Sequence, residues 1–185
     1  ASTSLFGIYS GMICPILNFP IMICSAVCVV LLPNLAYQIQ KKADIYKILK
    51  NAFLFVWVFS LPCAGGFIAI ASLVLKIFYP VLEASYIEVA TLAMQIASVN
   101  VVWLSFIAIC SSVLQAYGKY NLPCFSLGIS FIVKISLTFI LSLNPNINII
   151  GLAIINTLTY CIATIINLYF IKKHTNIFMV FSGQV

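Results

Sequence analysis

Five apolar stretches, each near or above the roughly 20 residues a helix needs to cross a bilayer, leave this chain few folds to choose from. They cover approximately residues 11–33, 52–75, 89–116, 122–143 and 149–171. Strands would need alternating polar residues to line a barrel, and these are absent. The rest of the chain cannot form a soluble shell either: 64% of the residues are hydrophobic and 6% are charged, too few to coat a water-soluble domain. The sequence therefore predicts an all-α polytopic membrane protein with about five transmembrane helices, a bundle filling residues 1–173. Residues 174–185 read as a tail or the start of another helix.

The charges orient that bundle. Nine lysines and no arginine stand against three acids, and the lysines do not gather among stacking aromatics as a nucleic-acid surface would require. Lys41, Lys42, Lys47, Lys50, Lys119, Lys172 and Lys173 fall on one side of the predicted membrane. Lys76 alone falls on the other, and Lys134 lies within a span. By the positive-inside rule the lysine-rich side is cytoplasmic, with the amino end outside and the carboxyl end inside. The expected location is the cell (cytoplasmic) membrane, with membrane lipids as surroundings. The chain begins at Ala1 with no charged segment before a short apolar core, so no signal peptide is expected, and the sequence reads as a piece of something larger. Residues 34–50, NLAYQIQKKADIYKILK, are too polar to span. They fit either an amphipathic helix on the anionic cytoplasmic surface or a solvated connector.

Enzymatic chemistry finds no footing. His174, the sole histidine, follows the last span, and no acid pair, nucleophile elbow or phosphate loop is present. The seven cysteines all lie in apolar stretches, where thiols pack as small hydrophobes, so no metal, cofactor or disulfide framework is expected. Helix breakers do stand out: Pro15 and Pro20 in the first span, Pro62 with Gly65 and Gly66 in the second. They fit either static kinks or the discontinuous helices of transporters.

Polar residues form stripes within three spans. In the fourth, Ser126, Ser130, Lys134, Thr138 and Ser142 recur every four residues, which keeps the central three on one helical face. The third carries Gln95, Ser98, Ser105, Ser112 and Gln115, and the fifth Asn156, Thr157, Tyr160, Thr164 and Asn167. Such stripes mark either packing faces, where hydroxyls bond within or between helices, or the lining of a hydrophilic interior. Lys134 tilts the choice toward function. A mid-helix lysine costs about 2.5–3.5 kcal/mol on the insertion scale. The thirteen Leu, Ile, Val and Phe of its span offset this with roughly −5 kcal/mol at most. The span inserts, but the ammonium should not face lipid. Asp44, Glu83 and Glu88 all lie outside the five predicted spans, leaving backbone carbonyls, a carboxylate elsewhere or an anionic ligand as its complement. The candidate substrate-cavity residues are Lys134, Ser130, Thr138, Gln95, Ser98, Ser105, Gln115, Asn156, Thr157 and Asn167.

The segment SSVLQAYGKYNLPCFSLGISFIVKISLTFIL (residues 111–141) resembles a signature of the oligosaccharide-lipid flippases of the MATE-like (MOP) superfamily. It has Leu-Gln closing one helix, a Gly-Lys turn, a proline opening the next helix and Val-Lys at that helix's centre. The stretches LFGIYSGMICPILNFP, LLPNLAYQIQKKAD and IIGLAIINTLTYCIATIINLYFIKK follow the family in order and spacing, so the resemblance covers about Leu5 to Lys173. Departures are Ala116, where the family usually has Gly, and the lack of arginine. The resemblance implies the carboxyl-terminal lobe of a two-lobe helical transporter, lacking its amino-terminal lobe. It implies alternating-access export of a lipid-linked oligosaccharide or a peptidoglycan or polysaccharide precursor, in cell-wall or sporulation pathways. The implied partner is an undecaprenyl-pyrophosphate-linked glycan, held in a cationic cavity between lobes. Two alternatives remain open: a multidrug or organic-cation antiporter of the same superfamily, and a small non-transporting membrane partner.

Overall fold

The computed structural model describes residues 7–41, 43, 45–80, 84–142 and 149–174, and among these there are helices and short connections but no strand. A π-helical turn, Tyr9–Ile13, leads into α1 (Cys14–Gln40), followed by α2 (Tyr46–Phe78), α3 (Ala84–Ala116), α4 (Asn121–Ser142) and α5 (Ile149–His174). Five helices among the described residues are long and apolar enough to cross a membrane. The chain is thus an all-α polytopic membrane protein.

Most of these helices outrun the apolar stretches that mark them. α2 and α3 have 33 residues each, about 50 Å at 1.5 Å per residue, so their ends reach beyond a hydrocarbon core of about 30 Å. The same overrun corrects the connector expected at residues 34–50. α1 continues through Pro33 to Gln40, and α2 starts at Tyr46. The segment is therefore shared between two helix ends, not a separate surface helix (Lys42 and Asp44 lie outside the described residues). Lys41 Nζ sits 4.4 Å from the Tyr37 ring centroid and Lys50 Nζ 5.9 Å from that of Tyr46. Apolar helix ends that carry such cation–aromatic pairs need no extra helix to meet an interface. Of the tail predicted at residues 174–185, His174 closes α5 and residues 175–185 lie outside the described residues.

The prolines act differently from one another. Pro20, Pro33 and Pro62 sit inside continuous helices, so Pro62 with Gly65 and Gly66 does not break α2. Pro15 stands in the first turn of α1 and follows the π turn directly. A proline has no N–H and its ring crowds the carbonyl four residues back. The wider π turn over Tyr9–Ile13 occurs where that disturbance falls.

α3 is the central post: α1, α2 and α5 all pack on it, whereas α4 packs chiefly on α5. Two apolar cores stack along its length. One gathers Ile13, Leu17, Leu75, Met94 and Val101 with Ala71, Ala90, Ala93, Ala97 and Ala153. The other gathers Leu35, Leu49, Val56, Phe106, Cys110, Leu114 and Ile171. Phe106 is held edge-on by Trp57, their ring centroids 5.1 Å apart at 75°. Much of the outer surface is apolar, with Phe19, Val30, Val58, Phe131 and Phe139 all exposed, as lipid contact requires.

α3 ends in a Schellman turn. Lys119 N–H donates to the Leu114 carbonyl at 2.9 Å and Gly118 N–H to that of Gln115 at 2.8 Å, with Gly118 at φ +72°. This left-handed φ is open to glycine and strained for residues with a Cβ. No atom lies within 4 Å of a Cβ placed there, so the penalty would be purely conformational. Gly118→Val is expected to lower stability by about 1–2 kcal/mol, and Gly118→Asn by clearly less, as thermal unfolding in detergent would measure.

Candidate functional site

The amino end of α1 and the facing stretches of α4 and α5 carry the polar side chains that do not serve packing alone. α1 and α5 both lie on α3, yet α1 makes few close backbone contacts with α5 or α4. The groove left between these backbones is filled by side chains, with Tyr9 5% and Asn156 7% exposed. Asn156 Nδ2 of α5 donates to the Tyr9 hydroxyl at 3.0 Å. Cys14 and Tyr160 both lie within electrostatic reach of the Tyr9 hydroxyl.

Lys134 belongs to the same layer. Ser126 Oγ of α4 donates to the Ala163 carbonyl of α5 at 3.3 Å, which sets the register of this antiparallel pair. Eight residues on from Ser126 is Lys134, and eight back from Ala163 is Ile155, the neighbour of Asn156. The Lys134 ammonium acts electrostatically on Cys14 across the groove, and the side chain is half-buried. Glu88 is the one acid among the described residues. It is exposed near the start of α3, so no carboxylate among the described residues complements the charge inside the bundle. Asn156 is 7% exposed, and its Oδ1 has no partner among the described residues. The layer thus offers a cation, two phenols and an unused carbonyl oxygen.

The rest of the Lys134 stripe grades from buried to open. Ser126 and Ser130 are buried, and Ser130 Oγ donates to the Ser126 carbonyl at 2.9 Å. Thr138 is exposed, and the Ser142 side chain lies outside the described residues. Along α3 the interior is packed, not hollow. Ser98 and Ser105 are fully buried and donate to the carbonyls of Met94 at 2.6 Å and Val101 at 2.7 Å. These hydroxyls are satisfied by their own helix, as packing faces allow. Gln95 is half-buried and ties α3 to α2 through Nε2 and the Ile68 carbonyl, 3.1 Å apart. Gln115 is half-buried at the Schellman turn. On α5, half-buried Thr157 bonds back to Ala153 at 2.9 Å. Asn167 is fully buried, with neither amide atom partnered among the described residues.

Of the ten candidates, the structure brings Lys134 and Asn156 into one layer of the groove. It places Ser98, Ser105, Ser130 and Asn167 inside helix packing. Sequence reasoning passed over Tyr9 and Cys14, which complete the layer: Tyr9 precedes the first predicted span, and Cys14 reads as an apolar filler. Tyr160 carried a usable signal, since it stands one helical turn from Asn156.

No group of three or more His, Cys, Asp or Glu among the described residues is placed to hold a metal. Compared with known proteins, the chain matches no family model, no curated protein and no solved structure.

Proposed function

We propose that this membrane bundle is the substrate-handling lobe of a carrier that moves a lipid-linked oligosaccharide, or a peptidoglycan or polysaccharide precursor, across the cytoplasmic membrane. The observation that carries the reading is Lys134: a half-buried ammonium on a membrane-spanning helix, within electrostatic reach of Cys14 and with no carboxylate among the described residues to complement it. Charges held at such depth mark substrate or ion pathways. A pyrophosphate linked to an isoprenoid carrier suits the site on two counts, since its anion complements the ammonium and its tail suits the apolar faces beside the groove. The resemblance of residues 111–141 to MATE-like flippases supports the same substrate class and supplies alternating access as the mechanism, with a second lobe as partner. The lysine asymmetry supports an amino end outside and a carboxyl end in the cytoplasm. A cation-coupled drug antiporter is less well supported, because such a carrier wants a carboxylate within its spans.

Lys134→Ala, introduced into the protein in its native membrane, is expected to stop export while leaving the amount of protein unchanged. Lipid-linked precursor would then collect on the cytoplasmic face, measurable as a loss of the fraction accessible to an externally added glycan-modifying enzyme. Lys134→Arg, which keeps the charge, is expected to retain part of the export. Undiminished export in the alanine variant would reject the proposal.

A further inference from the structure

Tyr9 is placed where a gate would be. It sits on the π turn and is 5% exposed, its hydroxyl accepts from Asn156 on α5, and Cys14 of α1 lies within electrostatic reach of it. α1 and α5 make few close backbone contacts here, so side chains close this part of the groove. Tyr9 joins the polar contact with Asn156 to an apolar core that holds Ile13, Leu17 and Ala153.

The turn beneath Tyr9 gives that opening a direction. A π turn advances fewer degrees per residue than an α-helix. Rewinding five residues as α-helix would carry Tyr9 around the axis by roughly a quarter turn, and its hydroxyl off Asn156. The α-wound form is ordinarily the more stable one, and here Pro15 opposes it. Asn156 already holds an unpartnered Oδ1 in its buried site, so its amide is incompletely satisfied even when the bridge is closed.

We propose that Tyr9 and Asn156 form a latch over the Lys134 layer, closed while Tyr9–Ile13 is wound as a π turn and released when that turn rewinds. Cys14 reports the state of the latch, because a thiol reacts only where water lets it ionise, and this one lies half-buried under the Tyr9 hydroxyl. The latch rests on the Tyr9–Asn156 contact and the π turn and holds whether or not the substrate is a lipid-linked glycan.

The test is the rate at which N-ethylmaleimide labels Cys14 in native membrane vesicles, read peptide by peptide by mass spectrometry. Exposed Cys124, near the start of α4, serves as the internal reference. Tyr9→Phe keeps the ring and removes the bridging hydroxyl, and is expected to speed Cys14 labelling about five- to tenfold, the scale of one lost hydrogen bond. Asn156→Leu is expected to match it, and the double variant to add little to either. Pro15→Ala restores the missing N–H and is expected to raise labelling with both latch residues intact. Unchanged labelling in Tyr9→Phe, or full additivity of the two latch variants, would overturn the latch. Faster labelling that is confined to Pro15→Ala would overturn it too. None of these readings depends on export, so a failed latch and a failed transport proposal are told apart.

Discussion

Asn167→Leu is expected to make the protein more stable, by about 1–3 kcal/mol. Asn167 is fully buried on α5, and neither its Nδ2 nor its Oδ1 has a partner among the described residues. Its neighbours along the helix are already bonded: Thr164 Oγ1 donates to Tyr160 at 2.8 Å and to the Trp103 carbonyl of α3 at 3.3 Å. An amide left unpaired in an apolar interior loses its solvation and regains nothing. Leucine has the same branching and the same number of heavy atoms, so it removes the two orphaned groups without leaving a void. The rise is read as melting temperature in mild detergent, and Asn167→Asp should lower it by at least as much, since it buries a charge without a partner. A fall in melting temperature with Asn167→Leu would show instead that the amide is bridged in place.

How far the sequence could lead was set by the kind of interaction at stake. The five spans were legible because the cost of placing polar backbone in lipid forces long apolar runs into helices. Their ends were not, because polar residues such as Gln38 and Gln40 break the apolar run while the helix continues through them. Pro33 looked like a terminator yet lies within α1, exposed on its surface. The serine stripes were visible, but their meaning was not. A hydroxyl can line a cavity or bond back to its own carbonyl, and the packing around Ser98 and Ser105 decides for the second. Lys134 stood out by charge alone. Its layer did not, because Tyr9 and Asn156 are joined across 147 positions of sequence and neither carries a local pattern that predicts the other.

The largest loss of stability is expected where α3 meets its neighbours through alanine. Ala93 is completely buried and Ala97 is 1% exposed, and they share one core with Ala71 and Ala90 and with Ala153 of α5. Between helices in a membrane there is little hydrophobic drive, because lipid tails are as apolar as the side chains. Close approach through small residues and van der Waals contact must supply the association instead. Ala97→Leu adds three carbons where the surrounding helices leave no room, which costs about 1–3 kcal/mol or more by overpacking and forces the helices apart. Because α1, α2 and α5 all rest on α3, the wedge disturbs several interfaces at once, and the variant should lose its monodisperse peak in mild detergent and melt well below the parent. Ala69→Leu is the matched control: the same change on exposed Ala69 of α2 adds apolar surface toward lipid and should leave both measurements unchanged. Equal behaviour of the two variants would mean that α3 is not the post on which the bundle is built.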